Sequence, residues 1–256
     1  MGIDVLVGSL SGLWQRETRE RLAVFVEATQ HMTDDPAAFS SSAWRKRLAK
    51  APSSEGTVDD LLTAISASKG ANIVATVNAM DAERQRHRAT EAEVRAAVER
   101  VVSALRAKLG SSASWREDSS AEPTLVGNLA PNGMLALRTV ATDLATQSAP
   151  EPRGRLDRLW RVLRRQAWRE SVLRRRFPQI ACLEIDNAYL PDEFDRVLGS
   201  FPFHVGSAPA LGRELEELSR RAASRLRDDS VQHNLELLGI ATAKASARGV
   251  PMFVLG

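Results

Sequence analysis

Residues 90–110 read TEAEVRAAVERVVSALRAKLG, and this stretch decides the class of fold. Thr90 and Glu93 stand three apart, as a capping box requires. Such a pair satisfies two of the backbone N–H groups that a helix leaves open at its start. Val94, Val98, Val101, Leu105 and Leu109 then follow at steps of 4, 3, 4 and 4, and Gly110 ends the run. Apolar residues at that spacing share one face of a helix, and the face gains nothing unless it packs.

The same rhythm recurs on both sides. Leu22, Phe25, Ala28 and Met32 mark a helix over about 13–32. Thr57 and Asp60 open another that closes near Lys69 and Gly70. SAWRKRLAKA suggests a short basic helix near 42–50, and Met134, Leu137, Ala141 and Leu144 mark one after the turn at Pro131–Gly133. Leu211, Leu215, Leu218, Ala222 and Leu226 repeat the 4-3-4-4 steps, with Ser207 placed to cap them. A last helix spans about 230–248 before Gly249. Residues 71–80, ANIVATVNAM, fit either a strand or a buried helix.

Strand character is confined to short segments: IDVLVG at 3–8, the stretch around 180–186 that contains most of QIACLEI (179–185), and the stretch around 251–255 that contains most of MFVLG (252–256). Strands this short do not stand alone, so the expectation is one small sheet joining the two ends of the chain. NAYLPDEFD, after residue 186, reads as a loop. The fold class is therefore mainly α, a helical bundle-like protein with a small sheet. Residues 1–256 are expected to form a single domain with polar loops at 111–124 and 148–154. A division into 1–110 and 125–256 is the alternative.

The 256 residues are 43% hydrophobic and 26% charged, a globular balance that excludes wholesale disorder. No apolar run is long enough to span a membrane, and the short run at the start has no basic residues before it, unlike a secretory signal. The one cysteine, Cys182, fits a reducing cytoplasm. Charge is uneven: residues 1–150 carry 17 basic and 18 acidic side chains, net −1, whereas 151–256 carry 18 and 14, net +4.

That surplus sits on an arginine-rich helix expected over about 155–176. Between Arg153 and Arg176 there are ten arginines against Asp157 and Glu170. At 100° per residue, Leu156, Leu159, Trp160, Leu163 and Ala167 form its core stripe. Arg158, Arg161, Arg165, Arg169 and Arg176 cluster on the opposite side, and Trp168 and Val172 project among them. A tryptophan between arginines suits contact with a protein partner, and the same pairing suits stacking on bases. The expected contact residues are Arg158, Arg161, Arg164, Arg165, Trp168, Arg169, Val172 and Arg175.

Catalytic constellations are sparse. VLVGSLSGLWQ opens as strand, glycines and helix, but Gly8 and Gly12 lack the spacing of a phosphate loop and read as a plain turn. His31, His87, His204 and His233 are scattered without a second ligand at metal spacing, so no metal and no cofactor are expected. Glu184, Asp186, Asp192, Glu193 and Asp195 form an acidic cluster that reads as a solvated loop.

Arg227-Asp228, followed after four residues by His233, resembles the motif of HEPN ribonucleases over seven residues. The resemblance implies an α-helical, commonly dimeric ribonuclease in which Arg227 and His233 meet on a helical surface. His233 would then handle the proton of an attacking 2′-hydroxyl. Three function classes follow. The first is a non-catalytic cytoplasmic protein-interaction or assembly module that uses the helix at 155–176. The second is a nucleic-acid-binding protein that uses the same helix, and the third is the ribonuclease.

Overall fold

A computed structural model describes residues 3–32, 47, 50–52, 58–67, 73–110, 115, 117, 121–149, 165–183, 187–199, 204–222, 226 and 228–255. It is mainly α with one small sheet. The described helices are α1 (Leu10–Trp14), α2 (Arg19–Gln30), α3 (Val58–Ala67), α4 (Ile73–His87), α5 (Glu91–Leu109), α6 (Pro131–Gln147), α7 (Arg165–Arg176), α8 (Pro178–Ala181), α9 (Ala208–Ala222) and α10 (Asp229–Arg248).

The strands are β1 (Ile3–Val7), β2 (Thr124–Leu129), β3 (Asn187–Leu190), β4 (Val205–Ser207) and β5 (Met252–Leu255). They form one sheet in the order β2-β1-β5-β3-β4, antiparallel except for β3 with β4. The two ends of the chain therefore meet, with Val5 opposite Val254.

Both faces of the sheet are covered, which is why its terminal strands are nearly continuous apolar runs. Val5, Val7, Tyr189, Met252 and Val254 face a core built with α6, α9 and α10. Ala188, Leu190, Val205 and Phe253 face a second core built with α1, α2 and α5. The expected core residues Val98, Val101, Leu105, Leu215, Leu218, Ala222 and Leu226 are all buried.

The caps follow the sequence closely. Thr90 Oγ1 accepts the Glu93 N–H at 3.3 Å, and the Thr90 N–H donates to Glu93 Oε2 at 2.7 Å. That backbone bond, with Arg19 beside it, holds the Glu93 carboxyl down at about 2. Ser207 Oγ accepts from the Ala210 N–H at 3.1 Å, and Gly249 closes α10 in the left-handed region at φ 64°.

Three expectations are corrected, those for 180–186, for NAYL and for the single helix over 13–32. The segment 180–186 is not a strand at its start, because residues 178–181 form the single-turn helix α8. Pro178 is pre-organised for its first position, and Glu214 caps its open N–H groups. The strand is instead NAYL, which had read as loop, while residues 184–186 lie outside the described set. The helix expected over 13–32 is two, because Thr18 caps a new start at Arg19. Residues 73–80 are helical within α4. The segment taken as a polar loop contains a buried Trp115 and leads directly into β2, a strand the sequence reading missed, as it missed β4. The basic helix near 42–50 lies largely outside the described residues.

Candidate contact surface

The arginine-rich helix is described as α7, from Arg165 to Arg176. Residues 151–164, with Arg158, Arg161 and Arg164, lie outside the described set, as does the side chain of Arg165. The phase of α7 differs from expectation. Leu173 is fully buried and Val172 is half-buried against the same core, whereas Ala167, placed in the core stripe by the sequence, is exposed. The inward face is centred on Leu173 because α7 packs against α6 and leads into the buried Phe177.

Three of its arginines are engaged within the chain. Arg169 Nη2 meets Asp143 Oδ1 of α6 at 2.5 Å, Arg174 Nε meets Glu170 at 3.4 Å, and Arg176 pairs with Glu217. Glu170 also takes Arg138 of α6 at 2.5 Å. Arg175 is exposed, and Trp168 is half-buried.

Arg227 lies outside the described residues, so its partnership with His233 is not placed. His233 stands exposed near the start of α10, with Nε2 3.0 Å from the Asn128 carbonyl oxygen on β2. Asp228, between the two, caps α10 by accepting from the Ser230 N–H at 2.8 Å.

The acidic cluster is also committed within the chain. Asp192 is buried and accepts the Trp115 N–H at 2.8 and 3.0 Å, while Glu193 and Asp195 flank Arg213 at 2.7 and 3.6 Å. Glu184 and Asp186 lie outside the described set. Among the described residues, no group of three or more His, Cys, Asp and Glu side chains stands together to hold a metal ion.

The glycine-rich opening makes hydrogen bonds within the chain. Glu117 Oε1 already accepts the Ser11 N–H at 2.7 Å, and Ser9 Oγ accepts from Gly12 at 2.9 Å. Gly8 and Gly12 serve packing: a Cβ on either would lie within 2.5 Å of Pro123.

Sequence reasoning missed a buried polar network at the β3–β4 end of the sheet. Gln179 Oε1 accepts from Ser207 N at 3.0 Å, Tyr189 donates its hydroxyl to the Gln179 carbonyl at 3.3 Å, and Ser207 donates to the Asp192 carbonyl at 2.8 Å. Asn187 donates to the Cys182 carbonyl. These bonds tie α8, β3, β4 and the start of α9 together, and the network is structural. Only the cap residue Ser207 left a readable signal.

The pair α3–α4 exposes several apolar side chains. No described side chain of α4 is buried, and Ile73 and Val74 are 51% and 65% exposed. Leu62 of the neighbouring α3 is 55% exposed. Among the described residues, several ties to the body lie at the end of α4. Arg19 Nη1 donates to the Arg86 carbonyl at 3.2 Å, Thr18 bridges to Arg88, and the Ala89 N–H donates to the Glu17 carbonyl at 3.0 Å.

A groove of about 610 Å³ between α9 and α10 is lined by small residues such as Gly212, Gly239 and Ala243, with Arg213, Glu216 and Arg220 also on its walls. None of the described helices is long and apolar enough to cross a membrane. No protein-family model, no curated protein and no solved structure matches this chain.

Proposed function

We propose that the protein is a non-catalytic interaction or assembly module, with the helical pair α3–α4 as its principal contact surface for a protein partner. The observation that carries this reading is the exposure of Leu62, Ile73 and Val74 on helices that touch each other and bury no described side chain of α4. Contiguous exposed apolar patches mark partner sites, and these three side chains lie on two helices in contact. The arginine-rich helix contributes a subordinate contact through exposed Arg175, since Arg169, Arg174 and Arg176 already have carboxylate partners. That internal pairing favours a protein partner over nucleic acid. A single buried thiol suits a reducing compartment such as the cytoplasm.

The test immobilises wild-type protein and a Leu62→Glu/Ile73→Glu variant of unchanged melting temperature, and passes source-cell extract over both. A partner kept by wild type and lost by the variant, at about 50 and 300 mM salt alike, is the expected result. Retention lost only in Arg175→Glu would move the surface to α7. Retention of RNA or DNA with steep salt dependence would favour nucleic-acid binding. Equal retention by all variants, or none by wild type, overturns the proposal.

A further inference from the structure

His87 closes α4 with both ring nitrogens facing carboxylates. Nδ1 lies 3.1 Å from Glu20 Oε1 on α2, and Nε2 lies 3.4 Å from Glu83 Oε1 on its own helix. A neutral imidazole has one N–H and can donate to only one of these acceptors, leaving a lone pair against the other. An imidazolium donates to both. The two-sided arrangement is therefore the one that the protonated ring satisfies.

We infer that His87 is a proton-dependent latch that holds the α3–α4 pair to the body of the protein, and that the latch loosens as the ring loses its proton. Its position gives it leverage. It sits among the described ties between the end of α4 and the start of α2, where the Arg19–Arg86, Thr18–Arg88 and Glu17–Ala89 contacts surround it.

The carboxylates that meet the ring come from two helices, Glu20 of α2 and Glu83 of α4. Charged neighbours on the same segments are Arg19, Arg84, Arg86 and Arg88, and Arg19 pairs with Glu93 of α5. Most of the cations are already paired: Arg19 with Glu93 at 2.8 Å, Arg86 with Glu83 at 2.7 Å and Arg84 with Asp81 at 3.3 Å. The carboxylates of Glu20 and Glu83 dominate what the ring meets. The hydrogen bond to Glu20 raises the imidazole above its ordinary value, while Glu20 is lowered against its desolvation by its own backbone N–H and then by His87. A histidine raised on folding contributes fully below its unfolded value and loses that contribution as pH rises through the folded one.

Trypsin reads this directly, because Arg84, Arg86 and Arg88 bracket the latch. Cleavage at those three sites, followed by fragment mass, is compared between wild type and His87→Gln at each pH from 6 to 8.5, so that the protease's own pH dependence cancels. Wild type should be cut about two- to fivefold more slowly at pH 6, and the two rates should converge by pH 8.5. Glu20→Gln, with the melting temperature checked at each pH, should behave as His87→Gln does. A ratio that stays constant with pH, or a Glu20→Gln variant that keeps the wild-type pH response, overturns the latch. The readout uses the free protein, so it stands or falls apart from partner binding.

Discussion

Glu214 on α9 accepts the backbone N–H of Ile180 at 2.9 Å, and its other oxygen accepts that of Gln179 at 3.1 Å. One carboxyl group thus caps α8 and ties it to α9. Burial pushes the Glu214 carboxyl up to about 8, against the lowering effect of the two amides and of Arg213.

The unfolded chain releases this proton near pH 4.3, whereas the folded protein keeps it to near 8. Between those values the native state binds more protons, so this group makes stability fall as pH rises through the window. Glu214→Gln should flatten that decline. Urea midpoints at pH 5, 6, 7 and 8 measure it, and a decline in the variant as steep as in wild type would clear Glu214 of the effect.

The helical stripes predict their own energetics. Leu105 and Leu218 are 2% and 0% exposed, in the two separate cores on opposite faces of the sheet. Leu105→Ala and Leu218→Ala should each cost about 2–5 kcal/mol. Because the sites share no core, the double variant should lose close to the sum. A cost below about 1 kcal/mol for either in urea unfolding would show that its face is not packed.

Much of this was legible because periodicity and capping are local. The stripe from Val94 to Leu109, the Thr90–Glu93 box and the Ser207 cap each act within a few residues, and the structure keeps all three. What failed depended on distant partners. NAYL becomes a strand because Ala188 finds Phe253 on one side and Val205 on the other, and β2 exists because β1 lies beside it. QIA becomes a helical turn because Glu214, 34 residues away from Ile180, caps it. The phase of α7 is set by α6, which a single-helix projection does not contain. The exposed apolar residues of α3–α4 carried no local mark at all, since an apolar helical residue looks the same whether or not something covers it.

Two glycines should respond with opposite signs to the same substitution. A Cβ on Gly8 would lie 2.4 Å from Pro123 Cα and 2.9 Å from the Glu122 carbonyl oxygen, all backbone that cannot turn aside. Gly8→Ala should cost about 1–3 kcal/mol. Gly239 lies inside α10, and a Cβ there meets nothing within 4 Å. Gly239→Ala should stabilise by about 0.5–1 kcal/mol, because alanine loses less backbone freedom in a helix. Thermal melts of the two variants should shift in opposite directions, and a shared direction would contradict the close approach at Pro123.

The last strand is the keystone of the sheet. In the order β2-β1-β5-β3-β4, β5 joins two otherwise separate pairs: Val254 lies opposite Val5 on one side and Asn187 on the other, and Met252 lies between Val7 and Tyr189. Its inward side chains serve both cores, Met252 and Val254 on one face and Phe253 on the other, all at most 3% exposed. Deleting residues 251–256 would leave the inner edges of β1 and β3 unpaired and buried, which is costly for every open N–H and C=O. The truncated chain should lose its cooperative melting transition, while Met252→Ala in the full chain should cost about 2–5 kcal/mol and keep it. Calorimetry separates the two outcomes, and a truncated protein that melts at the wild-type temperature would refute the central place of β5.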